Sequence, residues 1–124
     1  MKTYKLLTTL LCVFFTLNTF SQYLSKSKSY ITSILKEQKV KFIEIDEFIS
    51  VSKINNCNYL FEFNKNNICI SETIIALDNP QIVSLIMDLN NKYYIRLNDT
   101  FFHEEPYGLV QVKNKNNIFV YTYE

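Results

Sequence analysis

The feature that most restricts the fold of this chain is a change of hydrophobic period that occurs twice. Apolar residues first recur at the i, i+3, i+4 spacing of an amphipathic helix, and then they alternate with polar residues as in half-buried strands. The two helical stripes are Ile31, Ile34 and Leu35, and then Ile82, Leu85 and Ile86. The alternating runs are Ile43/Ile45, Ile49/Val51, Tyr59/Phe61/Phe63 and Ile68/Ile70 after the first stripe, and Ile95/Leu97, Val110/Val112 and Ile118/Val120 after the second.

The last hairpin of each half carries the same tetrapeptide, Lys-Asn-Asn-Ile, at residues 65–68 and 115–118. Asparagine tolerates a left-handed backbone better than most residues, so Asn66-Asn67 and Asn116-Asn117 predict tight turns. Lys, Asn and Ile are common here, and chance alone could repeat four of them. The matching helical stripes favour an internal repeat instead.

These patterns predict an α+β fold. One antiparallel sheet of six to eight strands would carry two helices on one face, built from two helix-then-meander (αβββ-type) repeats at about residues 25–76 and 78–124. Asp78 or Asn79 can cap the second helix, because a side-chain oxygen accepts an otherwise unpaired amide hydrogen, and Pro80 suits its first turn.

The N-terminus has the pattern of an export signal. Two lysines among the first five residues precede the apolar run Leu6–Leu17 and the small residues Thr19 and Ser21. We therefore predict a signal peptide over residues 1–21, with cleavage before Gln22. The run is shorter than the roughly 20 residues that span a bilayer, which disfavours a membrane anchor. A secreted or periplasmic location follows, with no transmembrane segment after cleavage.

The mature chain, residues 22–124, has the size of a single domain with its own core. The whole chain has 13 basic and 12 acidic residues, so charge is nearly balanced once the two signal lysines are lost. Without a basic cluster, nucleic-acid binding has little electrostatic support. The only glycine, Gly108, excludes a phosphate-binding loop and a nucleophile elbow, and no cofactor is expected.

Three features resemble small exported proteins of Bacteroidota that have no assigned activity. They are Thr-Phe-Ser-Gln at residues 19–22, a Lys-, Asn- and Ile-rich composition with Arg96 as the single arginine, and the segment Tyr59–Ser71. The resemblance implies an exported location and nothing about activity.

Cys57 and Cys69 remain after cleavage, and an oxidising compartment favours a disulfide. The predicted hairpin pairs Phe63 with Ile68 and places Cys69 opposite Glu62. The two cysteines are then about 17 Å apart at about 3.3 Å per residue, whereas a disulfide needs Cα atoms within about 7 Å. A disulfide requires the segment around Cys57 to fold back, and both states stay open.

His103 is the only histidine and lies beside Glu104 and Glu105. Such groups can bind a metal or transfer protons, but adjacent residues of an extended chain point to opposite faces. We therefore favour a polar turn closed by Pro106 and Gly108, with no metal site.

The acidic residues Glu44, Asp46 and Glu47 lack the glycine-containing loop of a calcium site and favour a solvated strand edge. No nucleophile–base pair or converging acid pair is visible. We therefore expect no catalytic site and no enzyme.

Aromatic residues suggest a contact surface. If Val110, Val112, Ile118 and Val120 face the helices, the opposite face carries the candidate binding residues Tyr94, Arg96, Phe119, Tyr121 and Tyr123. Rings and arginine give large contact areas at low entropy cost. The alternative is that the rings cover a second small core, and a register slip of one residue would exchange the two faces.

The leading functional hypothesis is a non-enzymatic binding protein for another protein, a cell-envelope component or a small ligand. The layout resembles inhibitor-type and adaptor-type folds made of two helix–sheet repeats, which is an analogy of fold alone. The alternative is an immunity or inhibitor protein against a secreted toxin or hydrolase, and an exported enzyme is less favoured.

Overall fold

A computed structural model describes residues 23–92, 95–97, 100–105 and 108–123. Within these residues a helix followed by four strands occurs twice. The elements are α1 (Lys28–Glu37), β1 (Ile43–Ile45), β2 (Phe48–Ile54), β3 (Cys57–Phe63), β4 (Cys69–Ala76), α2 (Asn79–Lys92), β5 (Ile95–Leu97), β6 (Thr100–Glu105), β7 (Gly108–Lys115) and β8 (Ile118–Tyr123).

The eight strands of the described residues form one sheet in the order β1-β2-β3-β4-β8-β7-β6-β5. Every neighbouring pair is antiparallel. The predicted α+β class with an antiparallel sheet is therefore confirmed. The last strands of the two halves, β4 and β8, pair at the centre, and we call this pairing the seam. The edges of the sheet are β1 and β5.

Both helices begin at side-chain caps. Ser27 Oγ accepts the backbone N–H of Tyr30 at 3.1 Å before α1. Asp78 Oδ1 accepts the backbone N–H of Gln81 at 2.9 Å before α2. Each cap satisfies an amide that the first helical turn leaves unpaired. Of the two predicted caps of the second helix, Asp78 takes the role.

One core lies between the helices and one face of the sheet, which we call the inner face. The helices bury Ile31 and Leu35 from α1, and Leu85 and Leu89 from α2. The predicted stripe residues Ile34, Ile82 and Ile86 are partly buried against the same core. The strands bury Ile49, Val51, Cys57, Tyr59, Phe61, Phe63, Cys69, Ile74, Ala76, Phe101, Val110, Val112, Phe119 and Tyr121. Since cross-strand partners share a face, both helices cover the same side of the sheet.

The two asparagine turns exist but differ in length. In the first, residues 64–68 connect β3 to β4, and Asn67 has a φ of 60°. In the second, only residues 116–117 connect β7 to β8, and Asn116 has a φ of 56°. These left-handed conformations confirm the reading of both segments as turns.

The predicted register of the first hairpin is wrong. Phe63 pairs with Cys69 rather than with Ile68. A register shift follows, with Ile70 as the extra residue of β4. Such a bulge re-aims the side chains that follow it. The β4 residues on the inner face are therefore Cys69, Glu72, Ile74 and Ala76.

The predicted faces of β8 are also wrong. Val110 and Val112 face the core as predicted, and Val112 pairs with Tyr121. Because paired residues share a face, Tyr121 points inward. Ile118 and Val120 occupy the opposite face, and Ile118 is 41% exposed. The short second turn is the cause, since it pairs Lys115 with Ile118.

The segment predicted as a polar turn around His103 is instead the strand β6, and Pro106 lies outside the described residues. Gly108 opens β7 with a φ of +144°. L-amino acids rarely adopt that conformation, so the single glycine stands where the backbone requires one.

Candidate functional site

The three described residues of the predicted aromatic contact surface are buried or partly buried. Phe119 and Tyr121 have exposures of 0%, and Tyr123 is partly buried against the same core. Tyr94 and the side chain of Arg96 lie outside the described residues. The expectation that Phe119 and Tyr121 face outward is therefore wrong, because the register places them with Val112 on the inner face.

The sheet face away from the helices, which we call the open face, has a different composition. Its register rows run through β2, β3, β4, β8 and β7 as Phe48–Glu62–Ser71–Thr122–Gln111 and Ser50–Leu60–Thr73–Val120–Lys113. A third row runs through β3, β4, β8 and β7 as Asn58–Ile75–Ile118–Lys115. At the seam the open face therefore mixes hydroxyl side chains with apolar ones. Its most exposed apolar side chains lie on β1.

The apolar edge forms the candidate binding site. Ile43 and Ile45 of β1 are 61% and 60% exposed, and Leu60 of β3 is 36% exposed. Half-buried Phe48 pairs directly with Ile45, whereas Ser50 lies between Ile43 and Leu60, so the four side chains surround Ser50 on the open face. We call these four residues the edge patch. Since β1 pairs only with β2 among the described strands, its outer backbone edge pairs with none of them.

Local charges explain why two isoleucines of β1 point away from the core. Glu44 lies between them on the other face, and its Oε1 is 3.0 Å from Lys28 Nζ of α1. Lys28 Nζ also donates to the backbone oxygen of Asp46 at 3.4 Å. A helix end that presents a lysine favours a glutamate on the near face of β1. Strand alternation then places Ile43 and Ile45 on the open face.

A second exposed apolar surface lies on α2. Val83 and Met87, one helical turn apart, are 55% and 57% exposed. They line a shallow groove of about 620 Å3 together with Pro80 and Asn91. This groove is not continuous with the edge patch, and it offers a matched control surface.

The imidazole of His103 lies beside the carboxylate of Glu105 and not beside that of its sequence neighbour Glu104. Its Nε2 is 3.2 Å from Oε1 of Glu105, two residues along β6, because alternate residues of a strand share a face. Among the residues that the structure describes, no group of three or more His, Cys, Asp or Glu side chains could hold a metal ion.

The two cysteines are free and buried at opposite ends of the β3–β4 hairpin. Cys57 pairs with Ala76, whereas Cys69 pairs with Phe63. Burial, with a smaller contribution from the charge of Asp78, raises the pKa of Cys57 to about 11. Burial also raises the pKa of Cys69. Both side chains are therefore neutral thiols at pH 7 with low reactivity, and the disulfide alternative is not the state of this structure.

Sequence reasoning missed Glu72, the only buried charged residue of the described chain, with an exposure of 0%. It lies on the inner face of β4, between Phe61 of β3 and Tyr121 of β8. Burial raises the pKa of Glu72 to about 8, and the backbone N–H of Tyr23 offsets only part of this effect. The available sequence signal was that Glu72 alternates with Ile74 and Ala76, which places a glutamate in an apolar series. Because the other series of β4 contains Ser71 and Thr73, the sequence did not show that the series with Glu72 faces the core.

Comparisons with protein-family models, with curated proteins and with solved structures return no match to this chain. Within the described residues, no helix has both the length and the apolar character needed to cross a bilayer.

Proposed function

We propose that this protein is a small exported, non-enzymatic binding protein that contacts a partner protein through the edge patch. The partner would supply an extended segment with alternating apolar residues, which adds to β1 as a further strand. Backbone hydrogen bonds to a free strand edge give affinity in such complexes, and side-chain contacts on one face give specificity.

The observation that carries the proposal is the exposure of Ile43 and Ile45 on an edge strand. Natural edge strands are commonly protected by charges, proline or bulges, because an apolar edge invites pairing with another chain. Here the two open-face positions of β1 are both isoleucine, and Phe48 and Leu60 extend the apolar area inward. A surface of this kind is unfavourable in water unless a partner covers it.

Export is part of the proposal and is supported by the sequence. Residues 1–21 combine a basic start, an apolar run and small residues before Gln22. The protein would act in the periplasm or outside the cell, where its partner would be another exported protein or a component of the cell envelope.

An internal duplication is also part of the proposal. A helix followed by four strands occurs twice, and the strand order is symmetric about the seam. The carbonyl oxygen of Asn67 accepts the backbone N–H of Lys28 at 2.8 Å, and that of Asn117 accepts the backbone N–H of Ala76 at 2.9 Å. In each half, a backbone N–H at or shortly before the start of the helix thus donates to the second asparagine of the turn.

The test compares two double variants of the mature protein. Ile43→Lys with Ile45→Lys places charges on the edge patch, whereas Val83→Lys with Met87→Lys makes the same change on the α2 groove at similar exposure. A photo-cross-linking residue at position 45 or 83 captures the partner in the exporting cell, and titration of the purified partner measures affinity. We expect the edge variant to weaken binding at least tenfold and the α2 variant to bind like the wild type.

Equal binding by the wild type and both double variants, or a loss confined to the α2 variant, would overturn the proposal. Urea unfolding checks that both variants stay folded, since substitutions at exposed sites change stability by about 0.5 kcal/mol or less. Sedimentation of the purified protein tests whether the partner is a second copy of the chain. A hydrolase or toxin that is bound one to one and inactivated would identify an inhibitor or immunity protein.

A further inference from the structure

The strongest unexplained feature of the molecule is the carboxyl group of Glu72. Among the described residues, neither of its oxygens has a hydrogen-bond partner, and the side chain has an exposure of 0%. The backbone N–H of Tyr23 favours the charged form without meeting the geometry of a full hydrogen bond. Buried polar groups of native proteins are nearly always paired, so an unpaired carboxyl requires a functional or structural reason.

Among the side chains that the structure describes, none is a cation placed to balance a charge on Glu72. The ionisable groups of the inner face around it are weak acids on three elements and on the segment before α1, namely Tyr59 of β3, Cys69 of β4, Tyr121 and Tyr123 of β8, and Tyr23. The helices present Ile31, Leu35, Leu85 and Leu89, which cannot ionise. Burial raises the pKa of both Tyr59 and Cys69, and a negative charge on Glu72 raises them further, so these neighbours stay neutral.

A register shift in β4 places this carboxyl at the seam. The extra residue Ile70 shifts the register of β4, so that Ser71 lies on the open face and Glu72 on the inner face. Glu72 then pairs directly with Tyr121, between the pairs Ser71–Thr122 and Thr73–Val120. The carboxyl therefore lies where the two halves of the sheet meet.

We propose that Glu72 is a proton-controlled switch: the protonated carboxyl closes the core across the seam, and loss of the proton loosens the pairing of β4 with β8 and the seating of the helices on the inner face. A carboxylate in an apolar core without a partner is strongly unfavourable. Ionisation therefore favours any state in which water reaches Glu72, and opening at the seam is the shortest route to such a state.

The direction of the pH effect follows from linkage. The closed state holds the proton up to a pH of about 8, whereas an open state releases it near the ordinary value of 4.5. Opening is therefore least favourable below pH 4.5 and becomes easier as pH rises toward 8, by at most about tenfold per pH unit, with no further change above 8.

Hydrogen exchange tests the switch in the mature protein between pH 5 and pH 9. The readout is the protection factor, corrected for intrinsic exchange, of amides in β4 and β8 at the seam. We expect wild-type protection to fall about tenfold per pH unit and to level off near pH 8. Glu72→Gln, which keeps the shape but cannot ionise, should show the same protection at every pH.

Two controls make the result specific. Glu62→Gln changes a partly exposed glutamate on the open face of the same hairpin, opposite Ser71, and should keep the wild-type slope. His103→Gln removes the only histidine and should also keep it. Glu72→Met replaces Glu72→Gln if that variant fails to fold. Wild-type protection without a pH slope, or a slope that survives in the Glu72 variant, would overturn the proposal.

Discussion

Two turns with the same sequence have different structures in this protein. Asn-Lys-Asn-Asn-Ile occupies residues 64–68 and 114–118. In the first half the whole pentapeptide connects two strands, with the left-handed residue at Asn67. In the second half only Asn116-Asn117 connects them, and Asn116 is left-handed. An identical pentapeptide cannot choose between two conformations by itself, so the choice is made by contacts elsewhere.

For the first turn, those contacts come from the segment before α1. The backbone N–H of Lys28 donates to Asn67 O at 2.8 Å, and that of Cys69 donates to Lys26 O at 2.8 Å. The backbone N–H of Ser25 donates to Cys69 O at 2.9 Å. Cys69 thus exchanges two hydrogen bonds with this segment. Because these bonds tie residues 67–69 to the segment before α1, the first turn does not close as a two-residue hairpin.

The second turn has a simpler environment. Asn117 exchanges two hydrogen bonds with Ala76, one through its carbonyl oxygen and one through its side-chain Nδ2, each 2.9 Å long. The side chain of Asn114 closes the turn from within, since its Nδ2 donates to the carbonyl oxygens of Asn116 and Ile118, both at 3.1 Å. The pairing of β7 with β8 therefore continues without a register shift up to the turn.

The difference decides which side chains enter the core at the seam. Ile70 follows the first turn as an extra residue and brings Glu72 to the inner face. No shift follows the second turn, and Tyr121 comes to the inner face opposite Glu72. The two halves thus meet through a carboxyl and a tyrosine.

Tyr121→Ala should have the largest effect on stability. Its side chain is fully buried at the seam, and truncation of a large buried ring costs about 3–5 kcal/mol. Urea unfolding at pH 6 measures the loss. Tyr30→Ala is the control, because Tyr30 of α1 is 47% exposed and its truncation should cost about 0.5 kcal/mol or less. A loss for Tyr121→Ala no larger than for Tyr30→Ala would mean that the β8 register is wrong.

Glu72→Leu should stabilise the protein by a smaller amount at pH 5, about 2 kcal/mol, because an unpaired buried polar group costs about 1–3 kcal/mol. The gain should grow toward pH 8 by at most about 1.4 kcal/mol per pH unit, since the pKa of Glu72 is raised to about 8 and its protonated form is the stable one. Glu62→Leu on the open face should change stability by about 0.5 kcal/mol or less at either pH. The measurement is urea unfolding at both pH values, and a loss of stability at pH 8 would contradict the burial of the carboxyl.

Much of the fold could be predicted because its elements have strong local signals. The stripes around Ile31 and Leu85 have helical spacing, and Asp78 with Pro80 marks a helix start. The asparagine pairs marked both turns. These signals depend on neighbours in sequence, so one sequence suffices to read them.

Faces and registers could not be predicted, because both alternating series of β8 are apolar. Ile118 and Val120 form one series, and Phe119 and Tyr121 form the other, so a period of two does not say which faces inward. The edge patch was missed for a related reason. Ile43 and Ile45 have the pattern of core residues, and only their position on an edge strand beside Lys28 leaves them exposed.

The smallest expected effects separate the two turns directly. A non-glycine residue in the left-handed region is strained by about 1–2 kcal/mol, and asparagine tolerates the region better than alanine does. Asn67→Ala and Asn116→Ala should therefore each cost about 1 kcal/mol, whereas Asn66→Ala, at the position that matches Asn116, should cost little. Thermal or urea unfolding measures the three variants. Equal losses for Asn66→Ala and Asn67→Ala would mean that the left-handed conformation of the first turn is not specific to Asn67. The two turns would then not differ in the position of their left-handed residue, and the contacts of Lys28 and Cys69 would not explain a difference between the halves.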